Sequence, residues 1–227
     1  MSKIFAISDI HGCANSFDHL ISKEIKLKKS DELFLLGDYI DRGKNSKQVI
    51  DIILDLIAKG FQVNSLRGNH EQMFMLTKND DLRLQHWKEI FGGNPTLSSF
   101  NINHYDELEE KYKLFIEGLS YYFESKKNIF VHAGLNFSNE NIFEDLNYML
   151  WSRDMDVKSE ILGDRKIIHG HTPRSLVELQ KQLSNKENNY SFNIDTGCAY
   201  NSEMGYGNLS AIELTKMKLF FTENLDR

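Results

Sequence analysis

Apolar residues along the chain come in short blocks, and the early blocks each end on a glycine-containing polar motif. Ile4 to Ser8 is the first block. It runs without polar alternation, which predicts a strand buried on both faces. After Gly12, Phe17, Leu20 and Ile21 fall at helical spacing between Asn15 and Lys23. Leu33 to Leu36 is the second block and ends at Gly37-Asp38. From Ser46 to Lys59, Val49, Ile50, Ile53, Leu56 and Ile57 make one stripe. This predicts a helix with Ser46 as N-cap and Gly60 as its stop. Strand character returns at Phe61 to Leu66, ending in Arg67-Gly68-Asn69-His70. The order β-α-β-α-β predicts an α/β fold with an at least partly parallel sheet.

Residues 71–126 read as polar and mostly helical, with helices expected at Leu84–Phe91 and Glu107–Leu119 and a turn at Gly92-Gly93-Asn94-Pro95. Five further strands are expected at Ile129–Val131, Lys166–Ile168, Ser191–Ile194, Leu209–Leu214 and Lys218–Thr222. The last two read as an antiparallel pair. The strand-rich second half makes two packed sheets the expected architecture. No composition shift or linker divides the chain, so residues 1–227 are expected to form one domain.

A net charge of −6 argues against a nucleic-acid-binding face but is compatible with a phosphorylated substrate, because bound cations would dominate the local field. Two cysteines, Cys13 and Cys198, are too few for a disulfide framework. The chain starts directly in a strand-like segment, with no signal-peptide pattern and no membrane-spanning run; a cytoplasmic protein without membrane contact is expected.

The chemistry sits in the motifs that follow the strands: Asp9-Ile-His11-Gly12, Gly37-Asp38-Tyr-Ile-Asp41-Arg42-Gly43, Gly68-Asn69-His70-Glu71, His132-Ala-Gly-Leu135 and His169-Gly170-His171-Thr172. Strand ends are where ligands bind in open α/β sheets. Imidazole and carboxylate together suit transition metals such as Mn, Fe, Zn or Ni. One such motif is a weak signal; five, each placed after an apolar run, point to a metal centre.

The first three motifs resemble the signature motifs of the phosphoprotein phosphatases within the calcineurin-like metallophosphoesterases. Their gaps match as well, with 25 residues between His11 and Gly37 and 24 between Gly43 and Gly68. With the later histidine motifs, the resemblance covers nearly the whole chain, and within that family the chain most resembles the compact bacterial and bacteriophage lambda-type serine/threonine phosphatases. Gly92-Gly93, Leu150-Trp151-Ser152-Arg153 and Asp195-Thr-Gly-Cys198 belong to the same likeness.

The resemblance implies a sandwich of two mixed β-sheets flanked by helices, and two divalent cations, Mn²⁺ by preference and otherwise Fe, Zn, Ni or Mg. Asp9 and His11 would hold the first, Asp38 would bridge, and Asn69, His132 and His171 would hold the second. Water shared by such a pair, ~3.5–4 Å apart, attacks phosphorus in line. Arg42 and Arg153 would clamp the phosphoryl oxygens. His70, supported by Asp41, would protonate the leaving oxygen.

The same likeness favours a phosphoserine or phosphothreonine protein or peptide as substrate, with phosphotyrosine as an extension. A bis(5'-nucleosyl)-tetraphosphatase is the enzymatic alternative. Such hydrolases usually carry a different residue at the place of Asp41 and an Asp at that of Glu71, so these two positions point towards the phosphoprotein. A non-catalytic interaction module would have lost a ligand or the Asp41–His70 pair, and none is missing. His19, His86 and His104 are expected to be surface or packing histidines and His169 not to be a ligand. Cys13 is expected to pack behind the first loop, and Tyr200 to border the site next to an unusual loop at 201–207. A monomer is compatible with all of this.

Overall fold

The structure is a computed structural model that describes residues 2–200, 202 and 205–227. Two sheets carry it. In the first, β1 (Ile4–Ile7), β2 (Glu32–Leu35) and β3 (Gln62–Ser65) run parallel, and β8 (Asn208–Glu213) and β9 (Lys218–Glu223) add antiparallel, in the order β3-β2-β1-β8-β9. In the second, β5 (Asn128–Val131), β6 (Lys166–His169) and β7 (Ser191–Asn193) are parallel, with β4 (Tyr122–Glu124) antiparallel at the edge. Both sheets are therefore mixed, as the resemblance implied.

Strand periodicity explains the layers. Phe5 and Ile7 on one face of β1 join Leu33 and Leu35 of β2 against α1 (Ala14–His19) and α2 (Ser46–Ala58). Ala6, Phe34 and Leu36 point the other way and pack between the sheets on Phe130, Ile168 and Phe192. The rings of Phe34 and Phe130 stack with centroids 3.6 Å apart. On the far side of the second sheet, Ile129, Val131 and Ile167 pack on Met149 of α7 (Leu146–Trp151) and Leu162 of α8 (Ser159–Leu162). Strands buried on both faces are thus the cause of the unalternated apolar runs.

Three expectations change. Strand β4 falls in a stretch read as helical and polar; its three residues, two of them half-buried aromatics, are too few to show a period. Ser46 is not the N-cap of α2: Asn45 is, and Ser46 is the first helical residue, its Oγ accepting from the Asp41 amide at 3.2 Å. The Gly92–Pro95 turn leads directly into a helix. Gly92 ends the preceding helical stretch in the left-handed conformation, and α5 (Asn94–Phe100) begins with Pro95 in its first turn. That preceding stretch is α4 (Asp81–His86), continued by a π-helical turn at Trp87–Phe91. The other helices are α3 (Asn69–Met75), α6 (Glu110–Glu117) and α9 (Leu176–Ser184). Of the expected 201–207 loop, Asn201, Glu203 and Met204 lie outside the described residues. Among the described residues no helix is long and apolar enough to cross a membrane.

Candidate metal centre and phosphate site

Every predicted site motif lies at the carboxyl end of a parallel strand, and the two sheets bring these ends together. Asp9 and His11 follow β1; Asp38, Asp41 and Arg42 follow β2; Asn69 and His70 open α3 after β3; His132 follows β5 and His171 follows β6. The loops are locked to one another through their backbones. The Asp38 carbonyl accepts from the amides of Ile10 and His11 at 3.0 and 2.8 Å, and the Gly43 amide donates to the His11 carbonyl at 3.0 Å. Gly12 must be glycine here. Its φ is +64°, and a Cβ would sit 2.6 Å from the Gly43 carbonyl oxygen.

Backbone strain concentrates in the same place. His11, Asp38, Asp41, Arg42 and His171 all have positive φ, at 46°, 53°, 70°, 67° and 74°. Asp and His tolerate this region better than most residues; Arg42 does not, and its left-handed backbone marks it as held for a purpose. Its amide donates to the Gly92 carbonyl at 3.0 Å.

Asp38 is the hub. Its Oδ2 lies 3.6 Å from His11 Nε2, 3.9 Å from His70 Nε2 and 3.6 Å from His132 Nε2. Two donor groups suited to a metal ion share it: His11, Asp38 and His70, and Asp38, His132 and His171. The second group also contains Asn69. Its Oδ1 is 2.9 Å from His132 Nε2 and 3.0 Å from His171 Nδ1, and those two nitrogens are 3.2 Å apart.

This triangle tests whether a cation fits. His132 Nδ1 faces the Leu36 carbonyl at 2.8 Å, and a carbonyl can only accept, so the ring proton is on Nδ1 and Nε2 offers a lone pair. His11 is oriented in the same way by the Ile40 carbonyl at 2.9 Å. Carbonyl oxygen and imidazole lone pairs that converge with too few protons to share are the donor set of a metal ion. Burial, and then the positive charge of Arg42, push the His11 pKa well down. Burial and then His132 push His171 down to about 3. Burial raises Asp38 well above the usual carboxylate range, and Asp9 and Glu71 push it further up against the opposing charge of His70.

Asp9 is placed differently from the other expected ligands. It is buried and close to Asp38, but its carboxylate accepts from the His171 amide, at 3.2 Å to each oxygen, and from the Ser8 hydroxyl. It stands outside both donor groups, whereas His70 stands inside one. His70 is also paired with Asp41: its Nδ1 is 2.7 Å from Asp41 Oδ2, and Asp41 has no exposed surface.

A cavity of about 310 Å³ opens above the hub. Its lining combines Asp38, Asn69, His70 and His171 with two arginines, Arg42 and Arg153, and three aromatic residues, Phe91, Trp151 and Tyr200. Phe91 meets His70 edge-on at 5.3 Å and Trp151 at 5.8 Å; Tyr200 carries the Arg42 guanidinium 4.9 Å above its ring. Arg153 is exposed, and Arg42 reaches His11 Nε2 at 2.8 Å.

The remaining histidines lie away from this cavity. His19 faces Glu24, His104 faces Asp81, His86 is exposed beside Phe91, and the ring of His169 is bonded to Ser191 at 2.9 Å. Cys13 is buried in the core behind the first loop.

Glu71 was not singled out for the role it has. It is fully buried, and it accepts from four backbone amides: Tyr39 at 2.8 Å and Ile40 at 3.2 Å on Oε1, Asp38 at 2.9 Å and Gly68 at 3.1 Å on Oε2. It ties the second motif to the third. Glu71→Gln turns an NH₂ donor towards amides that need an acceptor, and is expected to destabilise the protein by about 2–4 kcal/mol, read as a lowered urea midpoint. An unchanged midpoint would remove Glu71 from this role.

The family model for calcineurin-like phosphoesterases matches residues 2–201, and the chain belongs to that family of metallophosphoesterases. Relatives that align along nearly all of it are named asymmetrical bis(5'-nucleosyl)-tetraphosphatases. That of Anoxybacillus flavithermus is 25% identical, over 93% of this chain and 90% of its own. That of Bacillus subtilis is 24% identical, over 87% of each. A Saccharomyces cerevisiae protein serine/threonine phosphatase superposes with a TM-score of 0.64 over 100% of this chain and 81% of its own. At 16% identity this likeness shows the shared fold alone.

Proposed function

We propose that this metallophosphoesterase hydrolyses dinucleoside polyphosphates, breaking one phosphoanhydride bond with water. The observation that carries the reading is the aromatic lining. Phe91, Trp151 and Tyr200 line the cavity at Asp38 together with Arg42 and Arg153. A polyphosphate chain suits the arginines, whose planar forks bind two oxygens at once. A nucleobase suits the aromatic residues; a phosphoserine side chain itself has no flat group to place there. The full-length relatives named as tetraphosphatases support the same substrate class.

In this reading Asp9, His11, Asp38, Asn69, His132 and His171 hold two divalent cations, with Mn²⁺ the first to try. Bound cations supply Lewis acidity at the phosphoryl oxygens and a water of lowered pKa. Arg42 and Arg153 orient the phosphate under attack. His70 gives a proton to the departing oxygen, and Asp41 holds its ring in position. A P–O bond to water forms, the anhydride P–O bond breaks, and the second nucleotide leaves.

Neither Asp41 nor Glu71 lines the cavity. One holds His70 and the other holds backbone, so these positions do not sort substrates by contact. The Asp41–His70 pair nonetheless favours a second reading, a serine/threonine phosphatase. A serine alkoxide is a far poorer leaving group than a nucleotide phosphate and needs the proton more.

Diadenosine tetraphosphate and the Mn²⁺-loaded protein test the first reading through the products. Unequal nucleotides, a triphosphate and a monophosphate, are expected by analogy with the relatives. No cleavage would overturn the proposal. Trp151→Ala is expected to raise KM for the dinucleotide about tenfold, the loss of one stacked base, and to change turnover of a phosphoserine peptide less than about twofold. Equal effects on both would remove the base-stacking role.

A further inference from the structure

We infer that Trp87 and Thr96, from the helical segment between the third motif and the second sheet, are positioning residues that aim Asp41 at His70. The inference rests on the reading of Asp41–His70 as the pair that delivers the proton. Asp41 Oδ2 accepts from the Trp87 indole N–H at 2.8 Å as well as from His70 Nδ1 at 2.7 Å. Its Oδ1 accepts from the Thr96 hydroxyl at 2.8 Å. The same hydroxyl oxygen lies 2.9 Å from the Asp41 amide nitrogen, which also donates to Ser46 Oγ at 3.2 Å. Asp41, Trp87 and Thr96 each have no exposed surface. A buried carboxylate with a left-handed backbone has no reason to hold one rotamer unless its surroundings impose it, and these donors do.

The indole is itself held. It stacks on Phe74 with centroids 4.5 Å apart, and Gly93 lies against its other face. A Cβ at Gly93 would stand 2.5 Å from indole Cδ2. The φ of Gly93 is −78°, so the backbone does not require glycine there; the indole does. This gives the segment a task the motifs do not reveal. Its Trp87-to-Thr96 stretch closes over Asp41 and fixes the direction of the His70 proton.

A donor that bonds Asp41 and not the substrate acts through Asp41, so its loss should be felt in proportion to the need for that proton. The test compares phenyl phosphate with p-nitrophenyl phosphate, a poor and a good leaving group, on Mn²⁺-loaded protein. Trp87→Phe keeps the stack and removes the N–H; Thr96→Val keeps the shape and removes the hydroxyl; Gly93→Ala keeps the N–H and displaces it. Each is expected to lower kcat on phenyl phosphate about tenfold, the worth of one hydrogen bond to a charged group, with p-nitrophenyl phosphate within about twofold. Thr96→Ser should restore the wild-type ratio. His70→Asn is the reference. If it shows leaving-group dependence and the Thr96→Val and Thr96→Ser ratios both equal that of wild type, the inference is overturned. Equal losses on both esters in the folded variants also overturn it, because they indicate structural damage only. A His70→Asn ratio equal to wild type overturns the underlying reading of the pair instead.

Discussion

His70→Asn is expected to cut turnover of phenyl phosphate by about 10²–10³-fold while metal content, measured by mass spectrometry of the dialysed protein, stays at the wild-type level. The asparagine can still bond Asp41, so the loop that carries Asp38 stays tied to the start of α3 that carries Asn69, but no proton can be delivered. Diadenosine tetraphosphate should suffer less, since its leaving group is a nucleotide phosphate and departs without help. The metal measurement has a second use. His70 Nε2 lies 3.9 Å from Asp38 Oδ2 and belongs to the same donor group as His11, while Asp9 stands outside it. A fall in metal content would make His70 a ligand in place of the acid, and unchanged turnover of phenyl phosphate would remove it from the chemistry.

Asp38→Asn should be the most damaging single substitution on the metal side. Asp38 is the residue shared by the two donor groups, and its Oδ2 is within 3.9 Å of three imidazole nitrogens. The amide is isosteric but neutral, so the attraction that gathers the cations is lost at both places. Changes in a partner outside the ligand set typically weaken metal affinity 10–100-fold; a central ligand should exceed that, with an expected loss of at least about 10²-fold at both sites. Titration of Mn²⁺ into chelator-stripped protein measures it. Loss at one site only would leave Asp38 as an ordinary ligand, and undiminished binding would sink the bridging role.

Much of this site was legible because its residues are anchored to strand ends. A strand buried on both faces announces itself as an apolar run, and the polar residues immediately after it must lie at its carboxyl end. Asp9, Asp38, Asn69, His132 and His171 could be gathered on that logic before any geometry was known. The family resemblance then supplied roles that spacing alone could not. What stayed hidden is of another kind. Trp87 and Thr96 sit in a polar helical segment where nothing distinguishes a tryptophan that packs from one whose N–H reaches a carboxylate 46 residues away. Glu71 was read as a marker of substrate class because the tetraphosphatases usually carry Asp at its place, yet its four amide partners give it an architectural role. Edge strand β4 was missed because its three residues, Tyr122 to Glu124, are too few to show a period. Of the aromatic residues at the cavity, Tyr200 was expected to border the site; Phe91 and Trp151 were not, because they come from separate segments that only the fold assembles.

The substrate claim is tested most directly by a ratio. Chelator-stripped protein is reloaded with Mn²⁺, and kcat/KM is measured on diadenosine tetraphosphate and on a phosphoserine/phosphothreonine peptide. The aromatic lining and the two arginines predict a dinucleotide preference of at least about tenfold, the worth of one stacked base. A clear preference for the peptide would contradict that account: the metal centre and the Asp41–His70 pair would stand, and the lining would have to be read as a surface for protein rather than for nucleobases.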